Sequence, residues 1–522
     1  MRTLDTSADP LLTPPHRPLG VGRTCRRRHA LSRLPGIATI TAIVLAAGAV
    51  PASAEAGLIP DPGPVGDGVV FNNPHDENAK KAIENHIIWL IDGAASYSTI
   101  RVSTFKYKSP TYTDHLLTAA RDRHVTVQVV IDDHPDNRND AFYRLADGLH
   151  ELGGSSFAKM CADSCAGPPG VGINHDKFYL FSSTRGATKV IVQSSANMVS
   201  DVGVSDWRSW NNAVTLVSEP YIYDAYVTRF SAMSDQVPTP YSSTVGNNAK
   251  AYFFPRSEDN TIVGILDNVD CSGKNTSGGW GPDHLTSVHV AMYEINDQAI
   301  AKKLWELDHA GCVVHYVRTN VATDDDAIAI MNDCTAHNGI TIDTLNDSDG
   351  LLHSKYLVID GYYDGAPNRQ LVWTGSYNYT TGALRSNDEA LLKVWNHPAI
   401  FDAFQANFQA VVKAALDEGN PTVQPGDGPL SPDGGAFACF VPTGEHLRIY
   451  DGKADGHHPV AEYSFSFDPG SIHTAANYGG FGSWENLNLD MPEDSSIEFR
   501  ACNYEGDTRL SCSGWITASA RG

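Results

Sequence analysis

The chain has 522 residues, with 38 lysines and arginines against 61 aspartates and glutamates, which gives a formal net charge of −23. An acidic surface of this kind repels polyanions at long range and disfavours nucleic acid as a partner. The length is sufficient for two to four domains with well-buried cores.

The first 54 residues have the pattern of a secretory signal peptide. A basic cluster at 23–33 precedes an apolar run at 37–50, and small residues at 52–54 form a signal-peptidase site. The alternative, a membrane anchor, is disfavoured because the run is shorter than the roughly 20 residues that span a bilayer. No other stretch approaches that length. We therefore expect a secreted protein, cleaved near Ala54, and not an integral membrane protein.

Composition divides the rest of the chain. A Pro- and Gly-rich stretch is typical of a linker, and the short runs of alternating apolar and polar residues after it predict an antiparallel β domain. The expected segments are an N-terminal extension (55–72), a first α/β repeat (73–240), a second α/β repeat (241–418), a linker (419–436) and a small β domain of unknown role (437–522).

Eight cysteines follow the predicted signal, an even number that favours disulfides in an exported protein. Cys161 and Cys165 predict a local bridge rather than a metal half-site, because no second pair with zinc spacing follows. Cys502 and Cys512 predict a bridged hairpin. Five of the eight precede residue 420, so complete pairing requires one bridge between the main body and the C-terminal domain; otherwise two thiols stay free.

The main body is an internal duplication. Strands that alternate with helices predict an α/β sandwich in each half. Each half contains an alternating strand, a helical stretch and an apolar buried strand, at 98–107, 113–124 and 125–133 in the first half and at 286–295, 299–311 and 312–320 in the second.

Both halves also carry the same polar residues at corresponding places. The offsets are 178 residues for the histidines, 181 for the asparagines and 177 for an apolar strand that follows them, and such constancy indicates duplication rather than chance. The shared residues are His175, Lys177, Ser195 and Asn197 in the first half and His353, Lys355, Ser376 and Asn378 in the second.

Two histidines and two lysines that meet across a pseudo-twofold axis suit displacement at a phosphodiester phosphorus. Residues i and i+2 of a strand share a face, so each His-x-Lys projects an imidazole beside an ammonium group. One neutral histidine would attack phosphorus and become a phosphohistidine, and the other, protonated, would donate to the leaving alkoxide. The lysines and asparagines would hold the non-bridging oxygens. Because the ammonium groups supply the positive charge, we expect no metal and no cofactor.

The segments "LHSKYLVID" (352–360) and "TGSYNYTTGALRSNDEA" (374–390) resemble the signature of the phospholipase D superfamily. The resemblance covers roughly 73–418. As a secreted chain with two repeats, the protein is similar to actinomycete phospholipases D. The resemblance implies two pseudo-symmetric α/β/α sandwich repeats that form one site, so a monomer should suffice. The residues on motif positions are His353, Lys355, Asp360, Gly375, Ser376, Asn378 and Glu389.

The first half departs from this motif. Ser182 stands where the motif has Asp, and Ser194 stands where it has Gly. Asn212 occupies the place that Glu389 has in the second half. Family members hold the histidine with the downstream acid, whereas an asparagine can hydrogen-bond but cannot stabilise an imidazolium electrostatically.

By the resemblance, His175 is the nucleophile and His353 the general acid/base; the reverse stays open, because Glu389 is expected to support only His353. Three functions are compatible with these residues. The first is a secreted phospholipase D that cleaves phosphatidylcholine-like lipids or transfers the phosphatidyl group to alcohols. The others are a metal-independent nuclease and a non-catalytic binding protein with a decayed first repeat. The acidic charge disfavours the nuclease.

Overall fold

The computed structural model describes residues 63–199, 208–320, 324–337, 339–345, 350–418, 428–442 and 444–521. The predicted signal peptide and its cleavage point near Ala54 lie outside these residues. In the part of the chain that is described, no helix is long and apolar enough to cross a bilayer.

The first repeat is a mixed sheet flanked by helices. Its strands are β1 (Gly68–Asn72), β2 (Thr99–Thr104), β3 (Thr126–Asp132), β4 (Phe157–Cys161), β5 (Phe178–Thr184), β6 (Ala187–Ser194) and β7 (Ser209–Leu216). Its helices are α1 (Ala82–Asp92), α2 (Pro110–Arg123), α3 (Asp140–Leu152) and α4 (Pro220–Asp235), with a 3-10 turn at Pro135–Asn137.

The second repeat has the same plan. Its strands are β8 (Ser242–Val245), β9 (Ala249–Phe254), β10 (Ser287–Met292), β11 (Val313–Thr319), β12 (Thr341–Leu345), β13 (Leu351–Leu352), β14 (Lys355–Tyr363), β15 (Ala366–Gly375) and β16 (Glu389–Trp395). Its helices are α5 (Thr261–Leu266), α6 (Gln298–His309), α7 (Asp325–Met331), α8 (Thr381–Arg385) and α9 (Pro398–Asp417).

The two sheets share one strand order, which confirms the α/β duplication. The first runs β4-β3-β2-β5-β6-β7-β1 and the second β12-β11-β10-β14-β15-β16-β9-β8. In each sheet the first three strands of that order are parallel and the next three are antiparallel to their neighbours. Strand β1 pairs with β7 over its whole length, so the sheet of the first repeat includes residues of the expected N-terminal extension (55–72).

The helices pack in layers on the faces of the sheets. Helix α6 begins because the Asp297 side chain accepts the N–H groups of Ala299 and Ile300, and its apolar face, with Ile300 and Leu304, is buried against the second sheet. Helices α4 and α9 form a shared layer between the two sheets. There Tyr226 packs on Phe178, and Phe404 on Tyr356, with ring centroids 5.1 and 4.9 Å apart.

The C-terminal part is a small β domain of two sheets, as expected. Its strands are β17 (Ala436–Val441), β18 (His446–Asp451), β19 (His458–Phe465), β20 (Asp468–Ala476), β21 (Trp484–Asn488), β22 (Ser496–Glu505), β23 (Thr508–Cys512) and β24 (Ile516–Ser519). Gly428 donates its N–H to the carbonyl of Thr335 at 3.1 Å, so the end of the expected linker already packs on the second repeat.

Four disulfides confirm complete pairing of the eight cysteines. Two are the predicted local bridges, and a third, Cys334–Cys439, is the predicted bridge between the main body and the C-terminal domain. The pairs are Cys161–Cys165, Cys271–Cys312, Cys334–Cys439 and Cys502–Cys512.

Candidate active site

The segments that carry the two histidines each cross to the sheet of the other repeat. Strand β13, just before His353, pairs with the start of β7, and the His353 N–H donates to the carbonyl of Trp210 at 2.9 Å. Asn174 bridges Asp388, just ahead of β16, and the His175 N–H donates to the Asp388 carbonyl at 3.0 Å. This reciprocal exchange places both His-x-Lys segments at one site within a single chain.

Both segments lie at the entrance to a strand rather than inside it. Strand β5 begins one residue after Lys177, and β14 begins at Lys355 itself. The expectation that the histidine and the lysine of each pair both lie within a strand was therefore wrong, because both histidines and Lys177 precede the strands. In each pair the lysine Nζ instead folds back and donates to the carbonyl of its own histidine, His175 or His353, at 2.6 Å.

The imidazole of His175 is held by an acid from the other repeat. Its Nδ1 lies 2.8 Å from Oε1 of Glu389, and its side chain is only 10% exposed. Phe105 lies edge-on to the ring, with centroids 5.4 Å apart. This contact corrects the expectation that Glu389 supports His353.

The imidazole of His353 is held by an amide from the first repeat. Its Nδ1 lies 3.0 Å from Oδ1 of Asn211, and Tyr293 packs against the ring at 5.0 Å. The adjacent Asn212, the expected counterpart of Glu389, instead donates its amide N–H to Thr374 Oγ1 at 2.6 Å. The counterpart of Glu389 is therefore Asn211, at the same 178-residue offset as the histidines.

Burial and neighbouring cations determine the charge of both histidines. Burial first, and then Lys177 and Lys355, hold the pKa of His175 well below its usual range. The same three causes, with Lys355 ahead of Lys177, lower the pKa of His353, and His175 adds to the effect. The charges of both lysines thus act on each histidine, in agreement with the exchange of the two segments between the sheets.

The carboxyl group of Glu389 is buried as deeply as its partner. Burial raises its pKa to about 8, against the lowering effect of Lys177 and Lys355. Because a carboxylate only accepts hydrogen bonds, ionised Glu389 requires the proton on Nδ1 of His175, which leaves the lone pair on Nε2. A second proton on the pair of His175 and Glu389 would occupy Nε2 of His175.

Behind Glu389, a buried ionic network joins the two repeats. Arg229 of α4 donates from Nη2 to Oδ1 of Asp388 at 2.6 Å, and its Nε lies 3.9 Å from Oδ2 of Asp176. Asp388 also accepts two backbone N–H groups from the loop after β4. Burial raises the pKa of Asp388, and that of Asp176 to about 8, while Arg229 lowers both. Arg229 thus fixes the start of β16, where Glu389 meets His175.

This network is absent from the corresponding positions of the second repeat. At the 178-residue offset, the counterparts of the three charged residues are uncharged: Ser354, Asn407 and Trp210. Ser354 donates its hydroxyl to the carbonyl of Trp210 at 3.2 Å, and Asn407 accepts the hydroxyl of Tyr356 at 2.9 Å. The ionic support is therefore confined to the half that holds His175.

The predicted serines and Gly375 shape the strands beside the histidines. Ser195 donates its hydroxyl to Oδ1 of Asn211 at 2.7 Å, so it helps to orient the amide that holds His353. Ser376 exchanges two hydrogen bonds with the backbone of Ala390, each 3.1 Å long. A Cβ at Gly375 would lie 2.1 Å from the carbonyl oxygen of Ala390, so β15 and β16 approach too closely there for a side chain.

The two predicted asparagines have different surroundings. Oδ1 of Asn197 accepts the N–H of Lys106 at 3.2 Å. Oδ1 of Asn378 is buried and has no hydrogen-bond partner among the described residues. The side chain of Lys106 lies 3.3 Å from Asp136 at the rim and contributes to the lowered pKa of both histidines.

Asp360 lies away from the histidines. It is seven residues beyond His353 along β14, about 23 Å of extended chain, where it pairs with Ser287 and approaches the loop at Gly278. Its first-half counterpart, Ser182, accepts the N–H of Thr99 at 2.8 Å. Both positions therefore anchor the far end of a sheet, and neither contacts the reacting groups.

Several residues of the site were missed by sequence reasoning. Phe105 and Tyr293 occupy equivalent positions just beyond β2 and β10, and a lysine ammonium lies over each ring, at 5.5 and 5.0 Å. Alignment of the two halves would have found them, because both are aromatic. Asn211 would have been found by counting 178 residues back from Glu389. Nothing in the sequence indicates that Arg229 reaches Asp388.

Among the described residues, at least three His, Cys, Asp or Glu side chains bring their ligand atoms within metal-binding distance in one place. These are Glu462, Cys502 and Cys512. The two cysteines there form a disulfide, so this set lacks thiolate ligands. At the histidine pocket the positive charge comes from Lys177 and Lys355. Independence from metal ions stays a prediction.

Comparison with known proteins finds one match to a family model within the second repeat. Residues 285–412 match the model described as "Cardiolipin synthase, PLD-like domain". A search of curated proteins finds no match. The finer similarity to secreted actinomycete enzymes stays a prediction.

Among solved structures, the chain is similar to the polyphosphate kinase of Porphyromonas gingivalis, with a TM-score of 0.43 and 14% identity over 67% of this chain and 50% of that one. It is also similar to the phosphatidylserine synthase of Haemophilus influenzae Rd KW20, with a TM-score of 0.44 and 13% identity over 64% and 84% of the two chains. A third match is the phospholipase D family member Nuc from Salmonella typhimurium, with a TM-score of 0.25 and 18% identity over 33% and 95%. The chain thus spans half the length of the polyphosphate kinase.

Replacing Arg229 by Met should destabilise the folded protein, because it leaves the buried carboxyl groups of Asp176 and Asp388 without a cation. Removing one partner of a buried ion pair costs about 3–5 kcal/mol, and Arg229→Lys, which keeps the charge, should cost less. Asp176 has a raised pKa in the folded state, so its contribution to stability is full at acidic pH and is lost as the pH rises through about 8.

Urea unfolding at pH 5 and pH 8 measures this effect. The free energy lost in Arg229→Met should be larger at pH 8, where the unpaired carboxyl groups are more nearly ionised. An equal loss at both pH values would mean that these carboxyl groups do not sense Arg229.

Proposed function

We propose that this protein is a phosphodiesterase of the phospholipase D type, which hydrolyses the distal phosphodiester of phosphatidylcholine-like glycerophospholipids to phosphatidate and free headgroup. The observation that carries the proposal is the convergence of two His-x-Lys segments, each histidine held at Nδ1 by a residue of the other repeat. The PLD-like domain at 285–412 supports it. Transfer of the phosphatidyl group to an alcohol belongs to the same chemistry.

His175 is the nucleophile in this proposal, because its environment stabilises the intermediate. The Nε2 lone pair forms the P–N bond as the P–O bond to the headgroup breaks. The ring then carries a positive charge, and Glu389 at 2.8 Å from Nδ1 can stabilise it. The neutral amide of Asn211 offers no such stabilisation to His353.

His353 is the general acid and then the general base. It donates a proton to the departing headgroup oxygen and later takes one from the attacking water, after which the P–N bond breaks and the electron pair returns to His175. Lys177 and Lys355 hold the non-bridging oxygens as negative charge develops, in a pocket from which burial excludes most water.

Secretion is part of the same proposal. Four disulfides support an oxidising compartment outside the cytosol. Because both halves of the site come from one chain, a monomer should be active. The domain boundaries of the proposal are those expected from the sequence, with the repeats at 73–240 and 241–418, and β1 (Gly68–Asn72) adds a strand to the sheet of the first repeat.

The test of function supplies the purified protein, in EDTA, with phosphatidylcholine vesicles and separately with plasmid and single-stranded DNA. We expect choline release without DNA cleavage. His353→Ala should lower turnover by about 10²–10⁴-fold, the usual contribution of a general acid, and His175→Ala should lower it at least as much. The control is His115→Ala, at a half-buried histidine of α2 that contacts Asp92 and not the site; it should be fully active. DNA cleavage, or full activity of His175→Ala, would refute the proposal.

Asn211→Asp should raise the rate at neutral and alkaline pH. A carboxylate 3.0 Å from Nδ1 stabilises protonated His353 and raises its pKa by about 1 to 3 pH units. At pH values above the native pKa of His353, which is lowered, each unit by which the variant raises this pKa enlarges the protonated fraction of His353 up to about tenfold. Below that pKa His353 is already protonated, so the gain should vanish as the pH falls.

The measurement is the ratio of kcat for variant and native protein between pH 5 and pH 9. The control is Asn212→Asp, the adjacent residue, whose amide bonds Thr374 rather than a histidine; thermal melting checks that both variants fold. A ratio that does not change with pH, or an equal gain from Asn212→Asp, would contradict the role given to Asn211.

A further inference from the structure

The C-terminal β domain is fixed rigidly to the second repeat. The Cys334–Cys439 disulfide joins them, and Phe437 and Tyr450 are buried in the same apolar cluster as the helices of the repeat. Trp484 of β21 packs on Trp305 of α6 with ring centroids 5.6 Å apart. A domain attached in this way holds its loops at fixed places relative to the catalytic residues.

One loop of this domain, residues 477–483, lies beside the catalytic end of the second repeat. A cavity of about 420 Å³ lies between the loop and α6, lined among others by Gln298 and Gly482. The N–H of Asp297, the N-cap of α6, donates at 3.1 Å to the carbonyl of Tyr379, the residue next to Asn378. The first turn of α6 therefore lies between Tyr379, the neighbour of Asn378, and the cavity that Gly482 lines.

The loop exposes two aromatic side chains on a firm turn. Tyr478 is 79% and Phe481 is 64% exposed. The turn beneath them is built on the buried Asn477, whose amide donates to the carbonyl of Ser483 at 2.8 Å and accepts the N–H of Gly479 at 2.8 Å. Because the backbone is already ordered, placing these rings in a new environment costs little conformational entropy.

We propose that loop 477–483 is an interfacial anchor, which inserts Tyr478 and Phe481 into the surface of a lipid bilayer and so places the catalytic pocket at its substrate. The proposal rests on the proposed lipid hydrolysis. Tyrosine and phenylalanine suit the boundary between headgroups and acyl chains, because the rings are apolar and the Tyr478 hydroxyl can stay hydrated. With a net charge of −23, the partner surface is zwitterionic rather than anionic.

The position of loop 477–483 distinguishes it from Tyr97, an exposed aromatic residue to which no function is assigned. Tyr97 is 78% exposed and stacks on His124 with centroids 5.2 Å apart, while Tyr478 lies tilted against His458 at 4.7 Å. Tyr97 precedes β2 and therefore lies at the end of the first sheet opposite the catalytic residues. It provides a control that is matched in exposure and chemistry and differs in place.

The test has two arms, each with the full-length protein and the double variant Tyr478→Ala, Phe481→Ala. The first arm is co-sedimentation with phosphatidylcholine vesicles, in a His175→Ala background so that the vesicles stay intact. Burying only about 60 Å² of ring surface corresponds to tenfold in partitioning, so the double variant should bind at least about tenfold more weakly. Tyr97→Ala should bind like the parent protein.

The second arm measures kcat/KM on a short-chain phosphatidylcholine below its critical micelle concentration. The double variant should keep the parent value there, which also shows that it folds. Unchanged vesicle binding in the double variant, or no vesicle binding by the parent protein, would overturn the anchor. Turnover of the short-chain lipid would still sustain the proposed function in that case. Weakened vesicle binding with no lipid turnover by the native protein would sustain the anchor and refute the proposed function.

Discussion

The contact between Nδ1 of His175 and the carboxyl group of Glu389 is the interaction on which the rest of the site depends. It joins residues 214 positions apart, from different repeats, inside a region that water barely reaches. A buried acid of this kind is tolerated only where cations and hydrogen-bond donors surround it. Lys177 and Lys355 act from the pocket side, and Arg229 acts from behind through Asp388. The crossing of the segment before each histidine into the opposite sheet makes the contact possible.

The duplicated scaffold is nearly symmetric, but its chemistry is not. Where the first histidine meets a carboxyl group, the second meets an amide, and the buried ionic network behind Glu389 has only uncharged counterparts in the other half. A phosphorylated imidazole is cationic and is stabilised by an adjacent carboxylate, whereas an amide leaves the pKa of the second imidazole lowered by burial and the two lysines. The proposed roles of His175 and His353 rest on this difference between Glu389 and Asn211.

Much of the fold was predictable because hydrophobic periodicity and internal repetition are local properties of a sequence. The strands around 98–107 and 286–295, the helices after them and the C-terminal β domain were found where expected. The partners of the histidines were not, because equivalence between repeats does not reveal which acceptor crosses to which histidine. The assumption that Glu389 serves its own repeat, and the one-residue error that chose Asn212 over Asn211, have this cause. The anchoring place of the C-terminal domain depends likewise on tertiary contacts such as those of Trp305 and Trp484.

The central claim is that the cross-repeat contact makes His175 the residue that bonds to phosphorus. Its most direct test is to mix the protein with a phosphodiester substrate, quench the reaction in alkali, in which a phosphohistidine survives, and map the phosphorylated peptide by mass spectrometry. With a phosphatidylcholine substrate, the account predicts a glycerophosphoryl group, left after alkali removes the acyl chains, on the peptide that contains His175 and none on the peptide that contains His353. The group on His353, or no modified peptide during steady turnover, would contradict it.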